Sequence, residues 1–191
     1  MAIEEPKYDV ISKSSHFEIR SYAATLIAET EVHANFENAG KQAFKILAGY
    51  IFGNNRKKQK IAMTAPVSQV PVSEKISMTA PVNQIKTSAG FLVQFTMPSH
   101  FSKETLPEPV DTRVTIREVP AKNVAVFGYS GSWSESRYQQ KLTQFKQELE
   151  SAGIRTLGEP TLARFNSPFQ IWFLRRNEIW LEVKPSLATP N

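Results

Sequence analysis

Few side chains in this chain could do chemistry at a reactive centre. There are no cysteines, which removes a thiolate metal site, a Cys nucleophile and a disulfide framework. The three histidines, His16, His33 and His100, fall in a turn, at a strand end and in a proline-rich loop, and no two have the spacing of a metal pair. No HExxH, glycine-rich phosphate loop or Ser-His-Asp order is present. Glu178 follows Arg175 and Arg176 in "RRNE", an arrangement that makes structural ion pairs at a strand start. Just upstream, "SPFQIWFLRR" (167–176) gathers Phe169, Ile171, Trp172 and Phe173 in one connection. Loops run over the surface, so four large apolar side chains there need a partner. That partner is either a small molecule resting on them or the protein's own interior, with the loop folded back as a plug.

The formal net charge is +5, and its densest cluster is Arg56-Lys57-Lys58-Gln59-Lys60. Such a run suits an anionic partner or a solvated loop after a helix. No aromatic residue interleaves with it, so a stacking platform for single strands is not expected, and nucleic acid is not an expected partner. No apolar run reaches the roughly 20 residues of a membrane span. The start is neither a signal nor a transit peptide. The chain therefore reads as soluble, cytoplasmic as written or exported if a leader has been removed.

Periodicity supplies the elements that would position these groups. Two-residue alternation, weak in the first, predicts strands at 8–12 and 16–22, and a β-rich run with an apolar start predicts another at 24–33. Asn35 caps a helix whose apolar stripe is Phe36, Ala39, Ala43, Phe44, Leu47, Tyr50 and Ile51, closed by Gly53-Asn54-Asn55. "KIAMTAPV" (60–67) and "KISMTAPV" (75–82) share seven of eight residues. Each reads as a strand sending Ile and Met to one face and ending at its proline. Strands follow at 90–98, 112–119 and 124–131. A second helix opens with Ser134 as N-cap and a Trp133–Tyr138 staple; it buries Tyr138, Leu142, Phe145, Leu149 and Ala152 and ends at Gly153. Strands at about 160–166 and 177–184 complete the chain. A shift of 97 residues lays "EIRSY" on "TIREV" and Phe36 on Trp133. The pattern is an α+β fold with one domain over 1–191 and an internal pseudo-repeat of about 8–98 and 112–184.

"FEIRSY" (17–22), "YIFGNN" (50–55), "KIAMTAPV", "MPSHF" (97–101), "LPEPVD" (106–111), "ARFNSP" (163–168) and "RRNEIWLEV" (175–183) occur in this order. Together they resemble the SOUL/haem-binding protein family across nearly the whole chain, and the doubled MTAPV looks like its bacterial branch. The resemblance implies a distorted eight- to nine-stranded β-barrel of two pseudo-repeated halves, each with one α-helix, similar to the GyrI-like effector-binding domains. It also implies non-covalent binding of haem or another tetrapyrrole. One branch carries a histidine between the Arg and Tyr of "EIR-x-Y"; Ser21 stands there in this chain, so strict His ligation is not expected, and the iron ligand stays open. Met63 and Met78 read as core fillers or as haem-facing thioethers.

Carried onto matching positions, the family's site falls on the first helix and the loop before the last strand. Here these supply Lys41, Phe44, Leu47 and Ala48, then Phe169, Ile171, Trp172 and Phe173, with Arg175 or Arg176 for a propionate. The expected function is tetrapyrrole binding by apolar contact plus basic side chains, in a carrier or buffer role and without catalysis. The alternatives are an effector-binding module for another apolar molecule, a protein-interaction surface on the 168–173 loop, and a small-substrate hydrolase pairing Glu178 with Tyr129 or Tyr138, as in some GyrI-like proteins.

Overall fold

The computed structural model describes residues 3–57, 73–166 and 169–184. The first octapeptide, with Met63, lies outside the described residues. The strands are β1 (Tyr8–Lys13), β2 (Glu18–Tyr22), β3 (Thr25–Val32), β4 (Asn55–Arg56), β5 (Val82–Lys86), β6 (Phe91–Thr96), β7 (Glu108–Pro109), β8 (Thr115–Val119), β9 (Lys122–Tyr129), β10 (Thr156–Arg164) and β11 (Asn177–Val183). The helices are α1 (Phe36–Ile51) and α2 (Glu135–Ser151), with a short 3-10 turn at Trp172–Leu174.

Nine strands form one antiparallel sheet in the order β1-β2-β9-β11-β10-β5-β6-β3-β8. Its two edges, β1 and β8, do not meet, so the expected barrel is approximate. β4 and β7 form a separate two-stranded ladder. The order has an internal symmetry. Apart from the edge strand β1, which has no counterpart, exchanging β2 with β8, β9 with β3, β11 with β6 and β10 with β5 returns the same sequence of neighbours. β8 and β9 begin and end 97 residues after β2 and β3, the offset at which the sequence repeats. The β10/β5 ladder is the seam between the halves.

The helices cover one face. Phe36, Ala39, Ala43, Leu47, Tyr50 and Ile51 of α1 and Tyr138, Leu142, Phe145 and Leu149 of α2 join Phe127, Leu162, Ile179 and Leu181 in the main core. Asn35 caps α1 as expected, its Oδ1 accepting from the Asn38 amide at 3.0 Å, and Gly53 holds the left-handed backbone past the helix end. Phe44 departs from the predicted stripe and is 36% exposed on the helix flank. Ser134 makes no side-chain cap at α2. Instead Glu37 of α1 accepts from the Glu135 amide at 3.1 Å, so a carboxylate of one helix meets the positive end of the other. Ala152 is exposed, because α2 ends at Ser151.

The second octapeptide is not the ladder strand its alternation predicted. Ile76 is buried, Ser77 exposed and Met78 half-buried against the core, but the parity breaks at Thr79. Its hydroxyl donates to the Thr96 carbonyl, and it makes only an isolated bridge with Glu4. Pro81 has no amide to give a ladder, and the paired strand begins at Val82. Behind it, Asn55 is a clamp. Its Nδ2 donates to the Tyr50 and Glu74 carbonyls at 2.7 and 2.8 Å, and the Glu74 amide donates to its Oδ1 at 2.9 Å. No helix among the described residues is long and apolar enough to cross a membrane.

Candidate ligand-binding site

Three inner strands end side by side where the connection 165–176 leaves the sheet. Arg164 of β10 pairs in register with Asn177 of β11, and Asn177 with Tyr129 of β9. Side chains alternate across a sheet. Leu162, Phe127 and Ile179 sit in the helix-covered core, so Arg164, Tyr129 and Asn177 face the same side. Trp133, between β9 and α2, closes over this row. Its Nε1 donates to Asn177 Oδ1 at 2.8 Å, and Asn177 Nδ2 donates to the Gly131 carbonyl at 3.3 Å.

The Trp133 ring lies 5.1 Å from the Arg164 guanidinium and 4.3 Å from that of Arg175, both within cation–π range. On its other flank Arg164 meets the Phe36 ring at 5.8 Å and the backbone of Gly40, where an added Cβ would collide with Nη1. Gly40 is therefore the residue that lets α1 approach. Arg164 is 8% exposed, and its Nε and Nη2 have no hydrogen-bond partner. Burial pulls its pKa down to about 10, against the smaller opposing pull of Tyr129 and Glu37. Gln84 of β5 donates from Nε2 to the Phe36 carbonyl at 3.1 Å, while its Oε1 is buried without a partner. Two unmet polar groups thus flank Gly40, and buried polar groups are rarely left unpaired.

The loop that leaves this row stays outside the core. Phe169 is 96% exposed, and Ile171, Trp172, Phe173 and Leu174 are each more than half exposed. Trp172 and Phe173 meet edge to face at 5.5 Å. Arg175 donates from Nε to the Gln170 carbonyl at 3.0 Å and joins the loop to Trp133. Arg176 is directed elsewhere, to Glu178 at 2.9 Å, Glu5 at 3.0 Å and the Phe165 ring at 3.7 Å. On α1, Lys41 is exposed, the Phe44 ring packs on Phe95 at 5.6 Å, and Ala48 is nearly covered. Leu47 is fully buried and supports the helix from beneath.

The structure does not bring Glu178 to Tyr129 or Tyr138. Those tyrosines belong to the helix-side core, whereas Glu178 lies on the opposite face beside Trp180. It is 3% exposed and accepts from Arg20 Nη1, Arg176 Nε and Nη2, and Trp180 Nε1. This is the structural ion pairing expected of "RRNE", extended by Arg20. All three histidines are exposed: His33 Nδ1 bonds the Ala89 carbonyl at 2.6 Å, His16 lies 3.8 Å from Glu148, and His100 stacks on Phe101.

Sequence reasoning missed Arg164, Gly40 and Asn177, and it gave Trp133 to a staple. The usable signal was parity: Arg164 shares the inward face of Leu162, where alternation asks for an apolar residue.

The model of the SOUL heme-binding protein family matches residues 3–182. Heme-binding protein 2 of Mus musculus is 27% identical over 203 residues, covering 100% of this chain and 91% of its own. The Homo sapiens protein of that name is 27% identical over 196 residues, covering 96% and 87%. Among solved structures, the EcmrR C-terminal domain superposes with a TM-score of 0.60 at 11% identity, covering 93% of this chain and 98% of that one. A hydrolase from Listeria innocua gives 0.57 at 11% identity, covering 91% and 94%. At such identity these two structures report the shared fold alone. With a family model spanning nearly its whole length, the chain belongs to the SOUL heme-binding protein family.

Proposed function

We propose that this protein binds haem or a related tetrapyrrole without strict histidine ligation, as a carrier or buffer. A flat apolar ring with carboxylate tails asks for greasy surface beside cations. The observation that carries the reading is the exposed stretch Phe169, Ile171, Trp172, Phe173 and Leu174, tied through Arg175 and Trp133 to the guanidinium of Arg164. Phe44, Ala48 and Lys41 of α1 supply the second wall, and Leu47 keeps that wall in place. The residues fit the group: apolar side chains for the macrocycle, and a buried arginine lacking an acceptor for a carboxylate. Bound haem would supply an iron centre and a Soret band.

A Soret titration at micromolar haem tests the reading. Saturable binding should persist in His16→Ala, His33→Ala and His100→Ala, and Trp172→Ser should weaken it. No spectral change and no quenching of tryptophan fluorescence in the unsubstituted protein ends the proposal for haem.

A further inference from the structure

We infer that Arg164 is a carboxylate receptor, and that the site beneath Trp133 takes the acid end of an apolar ligand side-on. Three independent features meet there. The two orphaned nitrogens, Nε and Nη2, are the pair that presents parallel N–H groups along one edge of a guanidinium, and a carboxylate accepts both at once. The flanks are aromatic, Phe36 at 5.8 Å and Trp133 at 5.1 Å, so a carboxylate reaching Arg164 would carry apolar structure behind it. Nη1 occupies the space that the missing Cβ of Gly40 leaves, which seats that end of the fork against α1 and leaves the Nε/Nη2 edge for the guest.

The carboxylates within electrostatic reach do not fill the role. Glu37 acts on Arg164 through space, but its Oε1 takes the Glu135 amide. An uncompensated buried cation is expensive for a fold, and a ligand that brings the missing charge recovers that energy as affinity. Nε and Nη2 are covered in the free protein. Trp133 is the half-buried cover, held by one side-chain hydrogen bond to Asn177, so entry requires this ring to move.

The inference deepens the tetrapyrrole reading by naming which cation meets the acid: Arg164 rather than Lys41 or Arg176. It can also fail apart from that reading. Haem and haem dimethyl ester share a ring and differ in carboxylate charge. The unsubstituted protein should prefer haem by about tenfold or more, as a charge-assisted bidentate pair warrants. Arg164→Met should bind both about equally. Arg164→Lys, which keeps the charge and loses the fork, should show less than half of the logarithmic preference. Arg176→Gln, at an arginine already engaged by Glu178 and Glu5, should keep the full preference. An unchanged preference in Arg164→Met overturns the inference.

A second measurement does not need the ring. Sodium benzoate, against sodium chloride at matched ionic strength, should raise the melting temperature of the unsubstituted protein and not of Arg164→Met, and should change Trp133 emission in a Trp172→Phe/Trp180→Phe background. If neither macrocycle binds but benzoate acts in this Arg164-dependent way, tetrapyrrole binding fails and the carboxylate receptor stands. If benzoate produces no Arg164-dependent shift, the receptor falls even where haem binds.

Discussion

Glu178 offers a sharp test, because a catalytic and a structural carboxylate respond differently to Glu178→Gln. The substitution keeps shape and removes one negative charge. In the folded protein Glu178 accepts from Arg20, Arg176 and Trp180. Arg20 is itself only 8% exposed, so losing Glu178 strands part of a buried cation. Breaking a buried pair outright costs about 3–5 kcal/mol. Here each arginine keeps a second carboxylate, Glu18 for Arg20 at 2.9 Å and Glu5 for Arg176 at 3.0 Å. The expected loss is therefore smaller, about 2–3 kcal/mol, with part of it from the amide NH₂ now facing donors. For a chain of this size that lowers Tm by about 5–10 °C. Urea denaturation should show a lower midpoint with an unchanged slope. Arg20→Met added to Glu178→Gln should recover part of the loss, since it removes the stranded charge. Ligand binding at the opposite face should be unaffected after correction for the folded fraction. A stability change below about 0.5 kcal/mol, near the scatter of surface substitutions, refutes the network as described.

Other expectations follow from the same geometry. Asn55→Ala removes three hydrogen bonds at a buried clamp and should cost about 2–4 kcal/mol by urea denaturation, because the Tyr50 and Glu74 carbonyls lose their donor. Gly40→Ala gains up to about 1 kcal/mol of helix propensity but drives a Cβ into Arg164 Nη1; overpacking of about 1–3 kcal/mol should win, and a more stable protein would show that Arg164 is loosely held. Burial raises the Tyr22 and Tyr129 hydroxyls to about 12 and pushes Tyr50 and Tyr138 higher still. Their folded values lie above the unfolded one, so this stability is intact below pH 10 and lost as pH rises through 12; ultraviolet titration should find most of the tyrosine ionising only with alkaline unfolding. The Arg113 fork holds the Asp111 carboxyl down to about 2, and carboxyl NMR should return it toward its ordinary value in Arg113→Gln.

Much of this was legible from one-dimensional pattern. Helix α1 was readable because its stripe, its Asn35 cap and its Gly53 stop agree with each other. Strands β3 and β9 were readable because each is a long β-rich run with an apolar stretch bounded by turn residues. The second octapeptide misled because Ile-Ser-Met alternates as a strand would, while the Thr79 hydroxyl prefers a carbonyl on β6 to a ladder partner. At α2 the sequence offered Ser134 as the cap, but a carboxylate from the other helix took that end, a contact no local window contains. The site divided the same way. The exposed apolar loop was visible because four large side chains there break a composition rule. Arg164 was passed over because a lone arginine in a strand normally points to water, although its parity with the buried Leu162 already turned it inward; the register of β10 against β11 then sets it beside Asn177.

The pseudo-repeat explains why the buried guanidinium sits where it does. Phe36 and Trp133 stand 97 residues apart, at equivalent positions entering the two helices. Both rings reach the same group, Arg164. They can do so because β10, which carries Arg164, pairs with β5 at the seam where the halves join. Gln84, whose Oε1 is also unpaired, is on the opposite strand of that seam. A duplicated fold that is symmetric in its strands brings its two copies closest along this line. A single residue there can be enclosed by both, so neither half alone would flank the guanidinium on both sides. The asymmetry is chemical: one strand brings a cation to the seam and the other an amide, with aromatic walls from the start of α1 and from the connection that leads into α2. An anion with an apolar body satisfies that combination, whereas an anion without one would leave Phe36 and Trp133 facing water once Trp133 had moved aside to admit it.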